Sequence, residues 1–157
     1  MLNRKCLVVF VVALLANVGF VSAHCEIPCG IYDDEMKFRE LSQHIDTIEK
    51  SMEEILKMED SGTPSMNQLV RWVNNKDAHA DKIKGEVANY FLSQRVKFPE
   101  DELGREPYSR QLELLHQITV YAMKTKQTVD RENVRKLREA LEAYQALYWQ
   151  IHGHEHP

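Results

Sequence analysis

The sequence predicts an all-α protein, an antiparallel four-helix bundle with a metal-binding hook at its N-terminus. Apolar residues recur at spacings of three and four along four separate stretches, which is the periodicity of a helix with one buried face. Short segments containing glycine, proline or acidic residues separate the stretches, and short connections favour antiparallel neighbours in a bundle. The chain contains no internal repeat and no Rossmann, P-loop or Ser-His-Asp signature.

The first two predicted helices are separated by a clear break. The first extends from about Asp34 to Met58, and its apolar stripe consists of Leu41, Ile45, Ile48, Met52 and Ile55. The segment Asp60–Pro64 ends this helix, and Thr63 with Pro64 is expected to cap the next one. The second helix reaches about Gln94, with a stripe formed by Leu69, Val73, Ala80, Ile83, Val87 and Tyr90.

The third and fourth predicted helices follow an acidic loop, Phe98–Pro107. The third helix carries a stripe of Leu112, Leu115, Ile118 and Ala122. The fourth starts at Asp130, and its apolar face consists of Val134, Leu137, Leu141, Tyr144, Tyr148 and Ile151. We interpret all four stripes as core. Trp72 and Trp149, together with Phe91 and Tyr148, add apolar surface beyond what one small bundle buries, which suggests contacts between subunits.

Residues 1–23 have the organisation of a signal peptide. A short basic start precedes an apolar stretch, Cys6–Leu15, and Val21-Ser22-Ala23 fits the small-x-small preference of the cleavage site. Cleavage there would leave a single mature domain, residues 24–157, beginning with His24. The leader predicts export, and secretion, a bacterial periplasm and the thylakoid lumen are all compatible destinations.

Charge and hydropathy exclude two classes of function for the mature chain. The leader contains Arg4 and Lys5, so the 20 basic residues of the whole chain fall to 18 against 24 acidic ones, a formal charge of −6. No basic stripe supports nucleic-acid binding. The leader is the only apolar run long enough to span a membrane, so none is expected in the mature form. Attraction of an anionic substrate would have to be local, because the overall charge repels it.

The predicted mature N-terminus places several strong metal ligands within six residues. Two atoms separate the His24 amine from the Cys25 backbone nitrogen, so binding one metal closes a five-membered ring, and the Cys25 nitrogen and sulfur close a second. Cys29 supplies another thiolate after a turn shaped by Pro28 and Gly30. Two nitrogens and two sulfurs in a plane suit Ni(II) or Cu(II) better than tetrahedral Zn(II), and the His24 imidazole is placed to be an axial ligand. These donors favour one-electron redox chemistry.

The pattern His24-Cys25-x-x-Pro28-Cys29-Gly30-x-Tyr32 closely resembles the nickel hook of nickel-dependent superoxide dismutases, and the four helical segments have that family's length and order. The resemblance implies one nickel per subunit, bound by His24, Cys25 and Cys29. It implies conversion of superoxide to dioxygen and hydrogen peroxide by Ni(III)/Ni(II) cycling, and a homohexamer of four-helix bundles. Glu26 is a departure, because the family more often has aspartate at that position.

The resemblance also assigns roles to residues around the hook. Tyr32 would gate the open face of the metal or order water near it. Tyr90 resembles a second family tyrosine near the site, and it equally completes the stripe of the second helix. Glu40 matches a glutamate that hydrogen-bonds the hook imidazole, with a solvated helix charge as the alternative. His79 falls where the family often has an arginine, and Arg71, two turns earlier, is an alternative donor.

Two other functions are compatible with parts of the sequence. An exported nickel or copper carrier without turnover would need metal affinity from the hook and the tail His152–His156, but not an axial imidazole with carboxylate support. A disulfide between Cys25 and Cys29 would instead make the protein a cross-linked helical bundle. The complete hook pattern favours a metal site over the disulfide, and His24 with Glu40 favours the enzyme over the carrier. We interpret the tail as an adventitious metal scavenger.

Overall fold

The computed structural model describes residues 34–62 and 65–153, and this part of the chain folds as an all-α four-helix bundle, which confirms the predicted fold. The helices are α1 (Asp34–Asp60), α2 (Met66–Glu86), α3 (Arg105–Gln127) and α4 (Arg131–His152). A π-helical segment, Val87–Arg95, continues α2 and is called the π segment below. None of the described helices is both long and apolar enough to cross a membrane.

The helices form a closed square in which each packs against its neighbour in the chain and α1 also packs against α4. Because the connections are short, consecutive helices run antiparallel. The start of α1, the π segment, the start of α3 and the end of α4 therefore lie at the same end of the bundle. We call this the hook end, because the predicted hook, residues 24–32, precedes α1 by one residue.

The helix boundaries follow local sequence signals, with two differences from expectation. Asp130 is the N-cap of α4 as predicted, and its carboxylate accepts a hydrogen bond from a first-turn N–H at 3.0 Å. Helix α2 begins after Ser65 instead of at the predicted cap, and Thr63 and Pro64 themselves lie outside the described residues. Pro107 belongs to the first turn of α3 and not to the loop. Proline is tolerated there because the first N–H groups of a helix have no intrahelical acceptor.

Most residues of the predicted apolar stripes form the core, and the stripe of α1 is buried along its whole length. Leu112 of α3 is half-buried, and Leu114 lies in the core beside Leu115. Ile151, in the last turn of α4, is 41% exposed and lies outside the core. Leu69 and Val73 of α2 are only half-buried, and Met66 and Val70 beside them are exposed. The N-terminal half of α2 therefore carries apolar surface that the rest of the described chain does not cover.

Aromatic rings fill the core at the hook end. The ring centroids of Phe38 and Phe91 are 5.1 Å apart, those of Phe91 and Tyr144 are 5.1 Å apart, and those of Phe38 and Tyr148 are 5.2 Å apart. The rings meet at tilted or edge-to-face angles, which are the favourable geometries for aromatic pairs. All four are buried, so they provide a closely packed base for the polar groups of the hook end.

The π segment is not visible in the sequence, which predicts a regular helix as far as Gln94. The side chains of Ser93 and Gln94 donate hydrogen bonds to backbone carbonyls five residues earlier, at 2.6 and 2.8 Å. A π-helix pairs residues five apart, so Tyr90 and Arg95 lie on the same face of the segment. Segments of this kind are frequent at functional sites, and this one carries two side chains of the site described next.

Candidate active site

The predicted metal ligands are tethered to the hook end by a short length of chain. His24, Cys25, Cys29 and Tyr32 lie outside the described residues, as does the leader, so their assignments stay predictions. The first described residue is Asp34, two positions after Tyr32. Since an extended chain spans at most about 3.6 Å per residue, the Cα atom of Tyr32 lies within about 7 Å of that of Asp34, and the Cα atom of Cys29 within about 18 Å.

Asp34 is held by side chains from two other elements. Nη2 of Arg95, from the π segment, lies 2.6 Å from Oδ1 and 2.9 Å from Oδ2 of Asp34. The Tyr90 hydroxyl donates to Oδ1, and the hydroxyl of Tyr148, from α4, donates to Oδ2. We call Asp34, Tyr90, Arg95 and Tyr148 the Asp34 cluster. It ties the start of α1 to the π segment and to the last turns of α4.

The Asp34 cluster favours an ionised carboxylate. Burial alone would raise the pKa of Asp34, but hydrogen bonds from Tyr148, Tyr90 and Arg95 outweigh it and bring the pKa below its ordinary value. Burial and the hydrogen bond to Asp34 both raise the pKa of the two phenols. Burial lowers the pKa of Arg95, but the bond to Asp34 outweighs this and raises it. At neutral pH the cluster is therefore an ion pair that accepts hydrogen bonds from two neutral phenols.

Tyr90 takes the core position that the stripe of the second helix predicts, and its role beside the metal stays a prediction. It is 4% exposed and belongs to the core, and its hydroxyl reaches the hook end. Two cations lie over its ring: Nζ of Lys37 is 5.5 Å from the ring centroid, and the guanidinium carbon of Arg95 is 5.4 Å from it. Because its hydroxyl proton is donated to Asp34, Tyr90 is oriented as part of the cluster and not toward a separate proton path.

Glu40 lies in the second turn of α1 and forms an ion pair with Lys37. Nζ of Lys37 is 3.1 Å from Glu40 and 3.0 Å from Glu86 of α2. Burial lowers the pKa of Lys37, but the two carboxylates outweigh this and raise it, so the amine stays protonated. Lys37 is thus a cation at the hook end, where an anionic substrate would have to be attracted. The carboxylates of Glu40 and Glu86 offset its charge. The bond from Glu40 to the hook imidazole stays a prediction.

His79 faces His44 of α1. Their Nδ1 atoms are 3.0 Å apart and their ring centroids 4.8 Å apart. At this distance the Nδ1–H of one ring donates to the Nδ1 of the other. The accepting ring must therefore be a neutral imidazole without a proton on Nδ1. No hydrogen bond among the described residues joins His79 to Glu40, which lies one turn before His44. Arg71 is exposed on α2, and the described part of the chain offers it no ion pair.

We expect the histidine pair to make the stability of the bundle fall on mild acidification. Burial and the nearby Lys82 lower the pKa of His44 and His79 below the ordinary value of 6.5. The unfolded chain then binds more protons than the folded chain as the pH falls below that value, so stability present above about pH 6.5 is lost toward lower pH. Urea unfolding of the nickel-free protein between about pH 7.5 and pH 5 measures this loss.

The matched control for the histidine pair is the exposed His116 of α3. His44→Gln should flatten the pH dependence, whereas His116→Gln should leave it as in the wild type. His152, whose pKa is also lowered, contributes equally to every curve, so the difference between curves isolates the pair. Parallel curves for all three proteins would contradict the assignment.

His152 is part of the hook end. It is the last residue of α4, and its ring lies on Tyr148 with centroids 4.3 Å apart. Its Nε2 atom is buried and has no hydrogen-bond partner among the described residues, and burial followed by the charge of Arg95 lowers its pKa. The sequence pattern predicts that His152 belongs to a metal-scavenging tail. Its ring packs on Tyr148 of the core, and His154 and His156 lie outside the described residues.

Five residues of this site were not predicted to belong to it: Asp34, Lys37, His44, Arg95 and Tyr148. Asp34 was recognised only as the start of the first helix and Tyr148 only as an apolar residue of the fourth, and the other three carry no local motif. They reach the site through helix packing and through the π segment. The available signal was Asp34 itself, a carboxylate at the junction between the hook pattern and the first helix, which needs partners if it is buried.

The donor groups of the hook fit nickel. His24, Cys25 and Cys29 would supply two thiolates, an amine, a backbone amide nitrogen and an imidazole, a set of nitrogen and sulfur donors of the kind that nickel accepts. Across residues 34–62 and 65–153, no group of three or more His, Cys, Asp or Glu side chains is placed to hold a metal ion.

Comparison with protein families identifies the same chemistry. A statistical model of the family described as "Nickel-containing superoxide dismutase" matches residues 20–152, which include the hook and all four helices. The corresponding comparisons with curated proteins and with solved structures give no match. The family match covers most of the sequence, from just before the hook to the end of α4. The chain therefore belongs to the nickel-containing superoxide dismutase family.

Proposed function

We propose that the hook, residues 24–32, is the site at which this chain dismutates superoxide. Family membership makes superoxide the substrate and nickel the cofactor. His24 would bind the metal through its amine and imidazole, Cys25 through its amide nitrogen and thiolate, and Cys29 through its thiolate. Nickel bound there supplies a one-electron redox couple. The observation that carries the proposal is the family match, which runs unbroken across the hook and the bundle.

The reaction consumes protons that must come from outside the Asp34 cluster. Two superoxide ions and two protons yield one dioxygen and one hydrogen peroxide. The hydroxyl protons of Tyr90 and Tyr148 are donated to Asp34, and both phenols have raised pKa values. We therefore assign proton delivery to water ordered by Tyr32, the tyrosine of the hook pattern itself.

We assign to Glu40 the orientation of the His24 imidazole. It lies near the hook end, its side chain is 41% exposed, and Lys37 contacts one of its oxygens, so the carboxylate has capacity for another partner. His79 contacts His44 where α1 packs against α2. Arg71 lies two turns farther from the hook end than His79, and we give it no direct contact with the hook.

We also propose that the mature protein is exported and assembles as a homohexamer. The signal-peptide pattern of residues 1–23 supports export. Met66 and Val70 are 65% and 53% exposed, and the half-buried Trp72 lies beside them on α2. An uncovered apolar surface of this kind favours contacts between subunits.

Metal reconstitution tests the proposed function against the carrier alternative. Mature chain beginning at His24 would be loaded with nickel, copper or zinc, and metal content and superoxide consumption would be measured on the same samples. We expect one nickel per subunit and rapid superoxide consumption only in the nickel sample. Full nickel occupancy without turnover would instead identify a carrier. Neither the described residues nor the family match supports a carrier.

A further inference from the structure

Asp34 occupies an unusual position for a partly buried ion pair. It is the first residue of α1, and only Asp33 separates it from the last residue of the hook. Its side chain is 16% exposed, and that of its partner Arg95 is 22% exposed. Its two oxygens accept hydrogen bonds from the π segment and from α4, so three elements meet at the residue from which the hook departs.

We propose that Asp34 is a positioning residue that fixes the base of the nickel hook on the bundle, with Tyr90, Tyr148 and Arg95 as its anchors. The inference rests on the proposed function, since it takes residues 24–32 to be the metal site. A hook whose base is held loses fewer conformations when its donor groups converge on a metal, so a fixed base strengthens binding. Asp34 itself is not proposed to touch the metal or the substrate.

The geometry of the hydrogen bonds to Asp34 supports this role. Arg95 contacts both carboxylate oxygens, which restricts the orientation of the carboxylate as well as its distance. The Tyr148 ring is fixed in turn by Phe38, at a centroid distance of 5.2 Å, and by Trp149, at 5.1 Å. The anchors are thus set by the core, and movement of Asp34 would have to break charge-assisted hydrogen bonds.

Unused hydrogen-bonding groups lie at the same end of the bundle. The hydroxyl of Tyr144 is buried and makes no hydrogen bond within the described part of the chain, and the same is true of Gln94 Oε1 and His152 Nε2. Tyr144 is fully buried, and its pKa is raised by burial and then by the charge of Asp34, which places it near the cluster.

A second ion pair on α1 shows what a purely stabilising contact looks like. Arg138 of α4 binds Asp46 at 2.9 Å and Glu49 at 2.8 Å, so it also joins α1 to α4. Asp46 is 62% exposed and lies twelve residues after Asp34, about 18 Å along the helix. Replacing Asp46 removes a carboxylate–arginine contact between the same two helices without affecting the hook end. Asp46→Ala is therefore the matched control for Asp34→Ala.

The test compares Asp34→Ala, Tyr148→Phe and Asp46→Ala with the wild type, all as mature chains beginning at His24. Nickel affinity is measured by competition with a chelator, and backbone ordering by hydrogen–deuterium exchange of peptides from residues 24–36. We expect Asp34→Ala to bind nickel about tenfold or more weakly, the effect typical of losing a group that orients metal ligands. Its N-terminal peptides should exchange faster with and without nickel, and Asp46→Ala should behave as the wild type.

Tyr148→Phe keeps the test decisive if Asp34→Ala folds poorly. It retains the ring in the aromatic core and removes only the hydroxyl that donates to Asp34, so a smaller shift in the same direction is expected. Wild-type affinity and exchange in both hook-end variants would overturn the positioning role, as would an equal loss of affinity in Asp46→Ala. Neither result touches the proposed function, which fails only if nickel-loaded wild-type protein does not consume superoxide.

Discussion

Cys25→Ser and Cys29→Ser are each expected to abolish superoxide dismutation and nearly all nickel binding, while leaving the helical bundle folded. A serine hydroxyl is not deprotonated at neutral pH and is a hard oxygen donor, so it cannot replace the thiolate that stabilises a planar nickel site. The loss should exceed the roughly tenfold to hundredfold effect of removing an outer partner of a metal ligand. Nickel content, activity and helical circular dichroism would be measured on the same mature samples.

His24→Gln separates the imidazole from the thiolates in the same experiment. The amine and the planar donor atoms remain, so much of the nickel should stay bound while activity falls far more than metal content. Glu35→Gln, which changes an exposed charge in the first turn of α1, is the control and should resemble the wild type. A thiol titration after chelation distinguishes the metal site from a Cys25–Cys29 disulfide. Full activity in either serine variant would remove the hook from the mechanism.

Protein that retains residues 1–23 is expected to have no dismutase activity and to bind nickel poorly. In the uncleaved chain the nitrogen of His24 is a peptide nitrogen between two residues and not a basic amine, so a strong donor of the predicted set is missing. The preceding chain would also occupy the space beside the ligands. Activity should appear only after a peptide bond is cut directly before His24, and intact mass would identify the new N-terminus.

The control for the leader is a chain in which a specific protease site replaces the residues just before His24. One sample then provides both states, and activity should rise with the fraction cleaved. A precursor that is fully active before cleavage would show that the terminal amine is not a ligand. The predicted ligands would then be reduced to the two thiolates, the Cys25 amide nitrogen and the imidazole.

Helix periodicity allowed the bundle to be predicted almost to its ends. The stripe of α1 depends on neighbours three or four residues apart, and the cap at Asp130 bonds an N–H two residues later, so local sequence encodes both. The π segment was missed because its five-residue pairing leaves no sequence period that differs clearly from a helix over nine residues. Leu69 and Val73 were predicted as core but are half-buried, since periodicity identifies an apolar face without showing how fully other helices cover it.

The hook is a property of local sequence: its candidate ligands lie within six residues, and the rings they close with a metal follow from covalent geometry. Its base is decided by tertiary structure. Asp34 meets Tyr90, Arg95 and Tyr148 across separations of 56, 61 and 114 residues. No local pattern specifies such partners, because they depend on which helices pack together and on the turn that the π segment adds. The sequence by itself thus predicted the metal ligands and the family. The packing of the bundle decided which side chains surround Asp34, the residue at which the predicted hook joins the bundle.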